Sequence, residues 1–173
     1  MRVLFLSNQS GHIEWSCAGT IADFASNNVD ANILIMNAPA HEVTELNEMF
    51  MELGVNDENI LIGSLDWLEN NEAYSMLIEN QIKDILPEVI FIKDPLSGEV
   101  IDQFIWEIVV RVVPDQVSII IFRGEVNSDF MMHESRENMI IPLSEDAREK
   151  RAKLFGYSGS VETFRVQRIV YKI

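Results

Sequence analysis

Short apolar runs of strand length alternate with longer segments in which apolar residues recur at helical spacing. Val3-Leu4-Phe5-Leu6, Ile33-Leu34-Ile35, Ile60-Leu61-Ile62, Val89-Ile90-Phe91-Ile92 and the run from Val117 to Phe122 read as strands. Between them, segments such as Tyr74, Ile78, Ile82 and Ile85, or Ile105, Ile108, Val109 and Val112, place apolar side chains on one helical face. Strands without internal polar alternation are those buried on both sides, and βα repetition puts helices on both faces of a largely parallel sheet. The expected class is α/β: a Rossmann-like three-layer αβα domain, one domain over residues 1–173, with a mostly parallel sheet and a C-terminal antiparallel edge strand.

The expected elements run in order. Arg2 to Ser7 is a strand, Trp15 to Asn27 a helix and Ala31 to Met36 a second strand. A helix from Val43 to Leu53 stops at Gly54, and Asn59 to Ile62 is a strand. The next helix ends before Pro87, followed by the strand Val89 to Ile92 and a loop from Lys93 to Gly98. Gly124 to Asn138 is polar and mixed around Phe130-Met131-Met132, most simply a core plug. A short strand from Asn138 to Pro142, a helix capped by Ser144 and stopped by Gly156, and a final strand from Phe164 to Ile173 complete the chain.

A net charge of −15 works against nucleic acid and against anionic membrane surfaces. No apolar run approaches the length of a membrane span, and the N-terminal residues lack the pattern of a secretory leader, so a cytoplasmic protein is expected. Cys17 is the single cysteine, which excludes an intrachain disulfide and thiolate-rich zinc sites. It has no evident basic partner and reads as a packing residue. His41 and His133 read as solvated.

The turn after the first strand carries the chemistry-bearing residues. Ser16-Cys17-Ala18-Gly19-Thr20-Ile21-Ala22 resembles the Gly-Cys-Gly-Gly-Thr-Ile-Ala element of the LmbE-like (PIG-L) metal-dependent N-deacetylases. Leu53-Gly54-Val55, Ile60 to Asp66, Leu86 to Phe91, and Glu149-Lys150 with Ala152, Leu154, Tyr157 and Ser158 are similar to later signals of that family, in the same order. The resemblance implies a zinc ion held by His and Asp of a His-Pro-Asp-Asp-Glu motif and by the last His of a later His-Pro-Asp-His. It also implies a second Asp as base and an N-acyl amino sugar or sugar conjugate as substrate.

Aligned on Cys17, this chain places Gln9 at the first ligand His, Gly11 at the base Asp and His12 at the ligand Asp. Glu99 and Asp102 fall at the two later His positions. None of the five is the family residue. The expectation is therefore a divergent relative without the standard zinc deacetylase site, acting as a binding or assembly module. The alternative is an N-deacetylase with a rebuilt divalent-metal site. It would use His12, Asp102 and Gln9 as ligands, zinc by family resemblance, and Glu99 or Glu14 as the catalytic carboxylate. Asn8, Ser10, Trp15 and Asp94 are the candidate contacts to a sugar-like ligand, and homo-oligomerisation is left open. Ser10-Gly11-His12 is also compatible with sugar-nucleotide glycosyltransferases, a reading that leaves the C-terminal matches without a role.

Overall fold

Val3, Leu4, Phe5 and Leu6 are all fully buried, which requires packed layers on both sides of the strand that carries them. The computed structural model describes residues 1–96, 98–122, 139–156 and 161–168. It supplies those layers. The strands are β1 (Arg2–Gln9), β2 (Asp30–Asn37), β3 (Ile60–Ile62), β4 (Val89–Lys93), β5 (Ser118–Phe122), β6 (Met139–Pro142) and β7 (Val161–Arg168). The helices are α1 (His12–Ser26), α2 (Val43–Glu52), α3 (Asn71–Ile85), α4 (Val100–Val112) and α5 (Glu145–Phe155).

The strand order is β3-β2-β1-β4-β5-β7-β6. The first five strands run parallel. β7 pairs antiparallel with β5, as expected for the last strand, and β6 lies outside it at the edge of the sheet. From β1 the chain steps outward to β2 and β3, then returns to the other side of β1 to form β4. The carboxyl ends of β1 and β4 are therefore the topological switch point, where open α/β sheets leave a crevice.

Alternate side chains of each strand feed different cores. Val3 and Phe5 join Ile13, Cys17, Ile21, Phe50 and Phe91 beneath α1, α2 and α5. Leu4 and Leu6 join Tyr74, Ile78, Ile105 and Val109 beneath α3 and α4. Phe5 stacks on Phe91 with centroids 4.6 Å apart, and Phe24 meets Phe91 edge-on at 6.1 Å. Local signals set the helix ends: Ser144 Oγ accepts from the Ala147 N–H at 3.2 Å, and Gly54 (φ +101°) and Gly156 (φ +68°) take the left-handed conformation after α2 and α5.

Two boundaries differ from the sequence expectation in ways that matter. α1 begins at His12 rather than Trp15, because Gly11 adopts φ +87° and turns the chain directly into the helix. β4 extends through Lys93, which pairs with Phe122 instead of starting the loop. The Gly124 to Asn138 segment with its Phe-Met-Met triplet and His133, together with Tyr157, Ser158 and the residues after Arg168, lies outside the described residues. Among the described residues, no helix is long and apolar enough to cross a membrane.

Phe5 sits at the centre of the larger core, so Phe5→Ala should destabilise the fold by about 3–5 kcal/mol in urea unfolding. A loss below about 1 kcal/mol would contradict this packing.

Candidate functional site at the sheet switch point

One step beyond the last paired rung of β1 and β4, Leu6 with Ile92, β1 provides Ser7 and β4 provides Lys93. A lysine at the end of a strand ordinarily reaches water. This one is held inside, with its side chain 3% exposed. Its Nζ lies 3.0 Å from Asp102 Oδ2, whose side chain is fully buried, and 3.1 Å from Glu99 Oε1. His12 Nε2 is 3.3 Å from the same nitrogen. Glu99 precedes α4 as its N-cap and Asp102 lies in the first helical turn, so both carboxylates also face the positive end of the helix dipole.

The direction of the hydrogen bonds follows from what each group has to give. The ammonium has protons and no lone pair, so His12 Nε2 accepts. His12 Nδ1 then carries the ring proton and donates to Ser7 Oγ at 3.2 Å. Ser7 Oγ donates in turn to the Gln9 carbonyl at 2.9 Å and receives the Gln9 N–H at 3.3 Å. The neutral imidazole thus aims its lone pair at a cation, and the cation is Lys93. Beside this chain, the Tyr74 hydroxyl donates to Asn8 Oδ1 at 2.8 Å. Burial, with a further contribution from the Asp102 charge, raises the Tyr74 pKa far above its ordinary value and keeps that donor protonated.

The metal-competent side chains of this arrangement surround an ammonium. Zinc draws nitrogen and oxygen ligands to about 2.0–2.2 Å, whereas the three groups here stand at 3.0–3.3 Å, hydrogen-bond distances, around an ammonium that already supplies the positive charge. Among the described residues, no set of three or more His, Cys, Asp or Glu side chains is placed to hold a metal ion. Gly11, at the position of the base Asp, has φ +87°, a conformation that side-chain-bearing residues rarely adopt.

The structure brings His12, Glu99 and Asp102 together and sends the other candidates elsewhere. The Gln9 side chain is exposed at the end of β1. Asp94 Oδ1 accepts from the Leu96 N–H at 2.9 Å and closes its own turn. Ser10, Glu14 and Trp15 face a groove of about 700 Å³ between the start of α1, α2 and the end of α5. Ser10 Oγ donates to Glu42 Oε2 at 2.7 Å, and Trp15 packs against Phe155 at 5.1 Å.

Glu14 is 3% exposed, and among the described residues neither carboxylate oxygen meets a hydrogen-bond partner. Burial raises its pKa above the ordinary 4.5, and the Glu42 charge adds to the rise. The backbone N–H groups of Glu14, Gly11 and Ile13, at the start of α1, act in the opposite sense. Sequence reading missed Lys93, Ser7 and Tyr74. The one available signal was that the β4 pattern continues one residue further, which places Lys93 beside the β1 turn.

Lys93→Met should lower stability by about 3–5 kcal/mol at neutral pH, since it removes the ammonium that faces the buried Asp102 carboxylate at 3.0 Å. Adding Asp102→Asn should recover most of that loss in denaturant unfolding, because Glu99 can turn to solvent. Glu14 gives the opposite sign. Its folded-state pKa is raised, so the wild type loses stability as pH climbs from about 4.5 through the folded value. Glu14→Gln should therefore be more stable than wild type at pH 7. The advantage should fade as pH falls to about 4, as read by thermal unfolding across pH.

No protein-family model matches the chain, and no curated protein matches it in sequence. Solved structures do match it in shape. A deacetylase of the teicoplanin biosynthetic pathway, in complex with teicoplanin, superposes with a TM-score of 0.73 at 8% identity, covering 96% of this chain and 97% of that one. The N,N′-diacetylchitobiose deacetylase of Pyrococcus horikoshii gives 0.64 at 15% identity, covering 96% and 83%. The hydratase GalB of Pseudomonas putida KT2440, which acts on 4-carboxy-2-hydroxymuconate, gives 0.65 at 11%, covering 99% of each chain. Identities this low speak to architecture, and the hydratase shows that this architecture carries more than one reaction. The chain has the fold of these deacetylases, the LmbE-like fold expected from its sequence.

Proposed function

We propose that this protein is a binding or assembly module on an LmbE-like scaffold, working without the metal-bound water of a zinc deacetylase. The observation that carries the reading is the Lys93 ammonium between Asp102, Glu99 and His12 at the switch point. A metal hydrolase needs an open coordination position where water loses a proton, and a carboxylate beside it to receive that proton. An ammonium supplies positive charge but has no coordination site to offer, and residue 11 has no side chain to act as base. On this reading the charge balance of the site is kept without a metal-bound water.

A sugar-like ligand rests on the analogy of fold alone. Of the four residues expected to contact one, Asn8 is buried against Tyr74 and Asp94 closes a local turn. Ser10 and Trp15 remain at the groove beside α2.

Calorimetric titration of the metal-stripped protein with zinc tests the proposal. Wild type should take up no stoichiometric zinc and should not deacetylate N-acetylglucosamine derivatives in its presence. Lys93→Ala leaves an imidazole lone pair and two carboxylates around the vacated volume and should gain zinc affinity. One zinc per wild-type chain, lost in both His12→Ala and Asp102→Ala, would overturn the reading in favour of a rebuilt metal site.

A further inference from the structure

The groove beside α2 has a composition that the switch-point cluster does not explain. Five glutamates line it: Glu14 from α1, and Glu42, Glu45, Glu48 and Glu52 from the start and length of α2. Among the described residues, no lysine or arginine lines it. The nearest compensation comes from outside, where Lys153 reaches Glu52 at 3.2 Å, while Glu42 is in contact with Ser10 and with the exposed His41 at 3.7 Å. In a chain of net charge −15, four carboxylates repeating along one side of a short helix repel one another unless a cation lies between them.

Glu14 is the independent sign that the groove is made for a ligand. It is a buried carboxylate lining the groove, and among the described residues neither oxygen has a hydrogen-bond partner, a condition that is costly unless a donor arrives.

The arrangement selects among cations. The α2 carboxylates are three or four residues apart, and Glu42 to Glu52 spans roughly 15 Å of helix at ~1.5 Å per residue. A single metal ion draws its ligands to one point, and the described residues contain no such convergent set. A row of separated carboxylates fits a row of separated positive charges. The walls between them are apolar: Leu46 and Met49 on one side, Trp15, Leu154 and Phe155 on the other. Methylene segments can lie against these side chains, and the aromatic pair of Trp15 and Phe155 offers ring faces to an ammonium.

We propose that this groove is a binding site for a linear polyamine, with Glu14 and Glu42 receiving one terminal ammonium and Glu45, Glu48 and Glu52 receiving the others along α2. The polyamine brings donors to the buried carboxylate of Glu14. Its alternation of charge and short hydrocarbon segments matches the alternation of carboxylate and apolar wall. The site is separate from the Lys93 cluster, so it stands whether or not the metal-free reading holds.

Spermine titrated into the intact protein by calorimetry at about 0.15 M salt provides the test. Binding near one molecule per chain is expected, weakened about tenfold or more by Glu14→Gln and by the double variant Glu45→Gln/Glu48→Gln. Glu14→Gln is expected to fold with at least wild-type stability, so weaker binding by that variant reports contact and not unfolding. Glu69→Gln/Glu72→Gln removes the same charge from exposed positions outside the groove and should leave spermine affinity unchanged. Equal weakening by this control and by the groove variants would reduce the effect to general charge attraction and overturn the proposal. Failure to bind spermine would overturn it too. So would binding of a lysine-rich peptide without spermine, or stoichiometric displacement of spermine by equimolar magnesium.

Discussion

A buried ammonium at the meeting of two parallel strands organises the carboxyl end of this sheet. Lys93 leaves β4 where β1 gives way to α1, and it ties the first turn of α4 to the first turn of α1 through Asp102, Glu99 and His12. Buried ion pairs of this kind contribute little net stability against an apolar replacement, yet losing one partner is severe. Their effect is positional. With the ammonium in place, the His12 ring, the Ser7 hydroxyl and the Gln9 backbone form a single directed chain of donors. The ends of two helices and two strands are fixed relative to each other without a ligand.

The same constraint separates the two sides of α1. Toward β4 and α4, the helix start is neutralised and closed. Toward α2, it presents Glu14 and Trp15 to a groove whose carboxylates have little internal compensation. The electrostatic work of the scaffold is finished on one side and left open on the other. An acidic chain that had scattered its charge for solubility alone would show no such contrast.

Much of the fold was legible because it rests on local pattern. Uninterrupted apolar runs marked the five parallel strands, of which the edge strand β3 is only partly buried, and Ser144, Gly54 and Gly156 marked helix ends through capping and left-handed geometry. The site was legible only in part. His12, Glu99 and Asp102 stood out as metal-competent residue types, and they do converge. What they converge on was hidden, because a charged residue after an apolar run reads as the end of a strand. Nothing local distinguishes a lysine bound for solvent from one whose partners lie 81 residues upstream and 9 residues downstream. The early start of α1 was missed for a related reason. It depends on the backbone angle of Gly11, which the glycine permits but does not dictate.

Gly11 also bears on the routes by which this sequence can change. A base at this position requires an L-residue where the backbone stands at φ +87°, and the surrounding space would accept a Cβ, whose nearest neighbour would be Trp15 Cδ1 at 4.0 Å. The obstacle is conformational rather than steric crowding. An aspartate there would require the β1–α1 turn to be rebuilt, and it would serve no metal while Lys93 remains. On the metal-free reading, each change alone sacrifices stability before the two together could supply a base beside a metal. On that reading, a path toward hydrolysis at the switch point therefore runs uphill at its first step, at the backbone of Gly11.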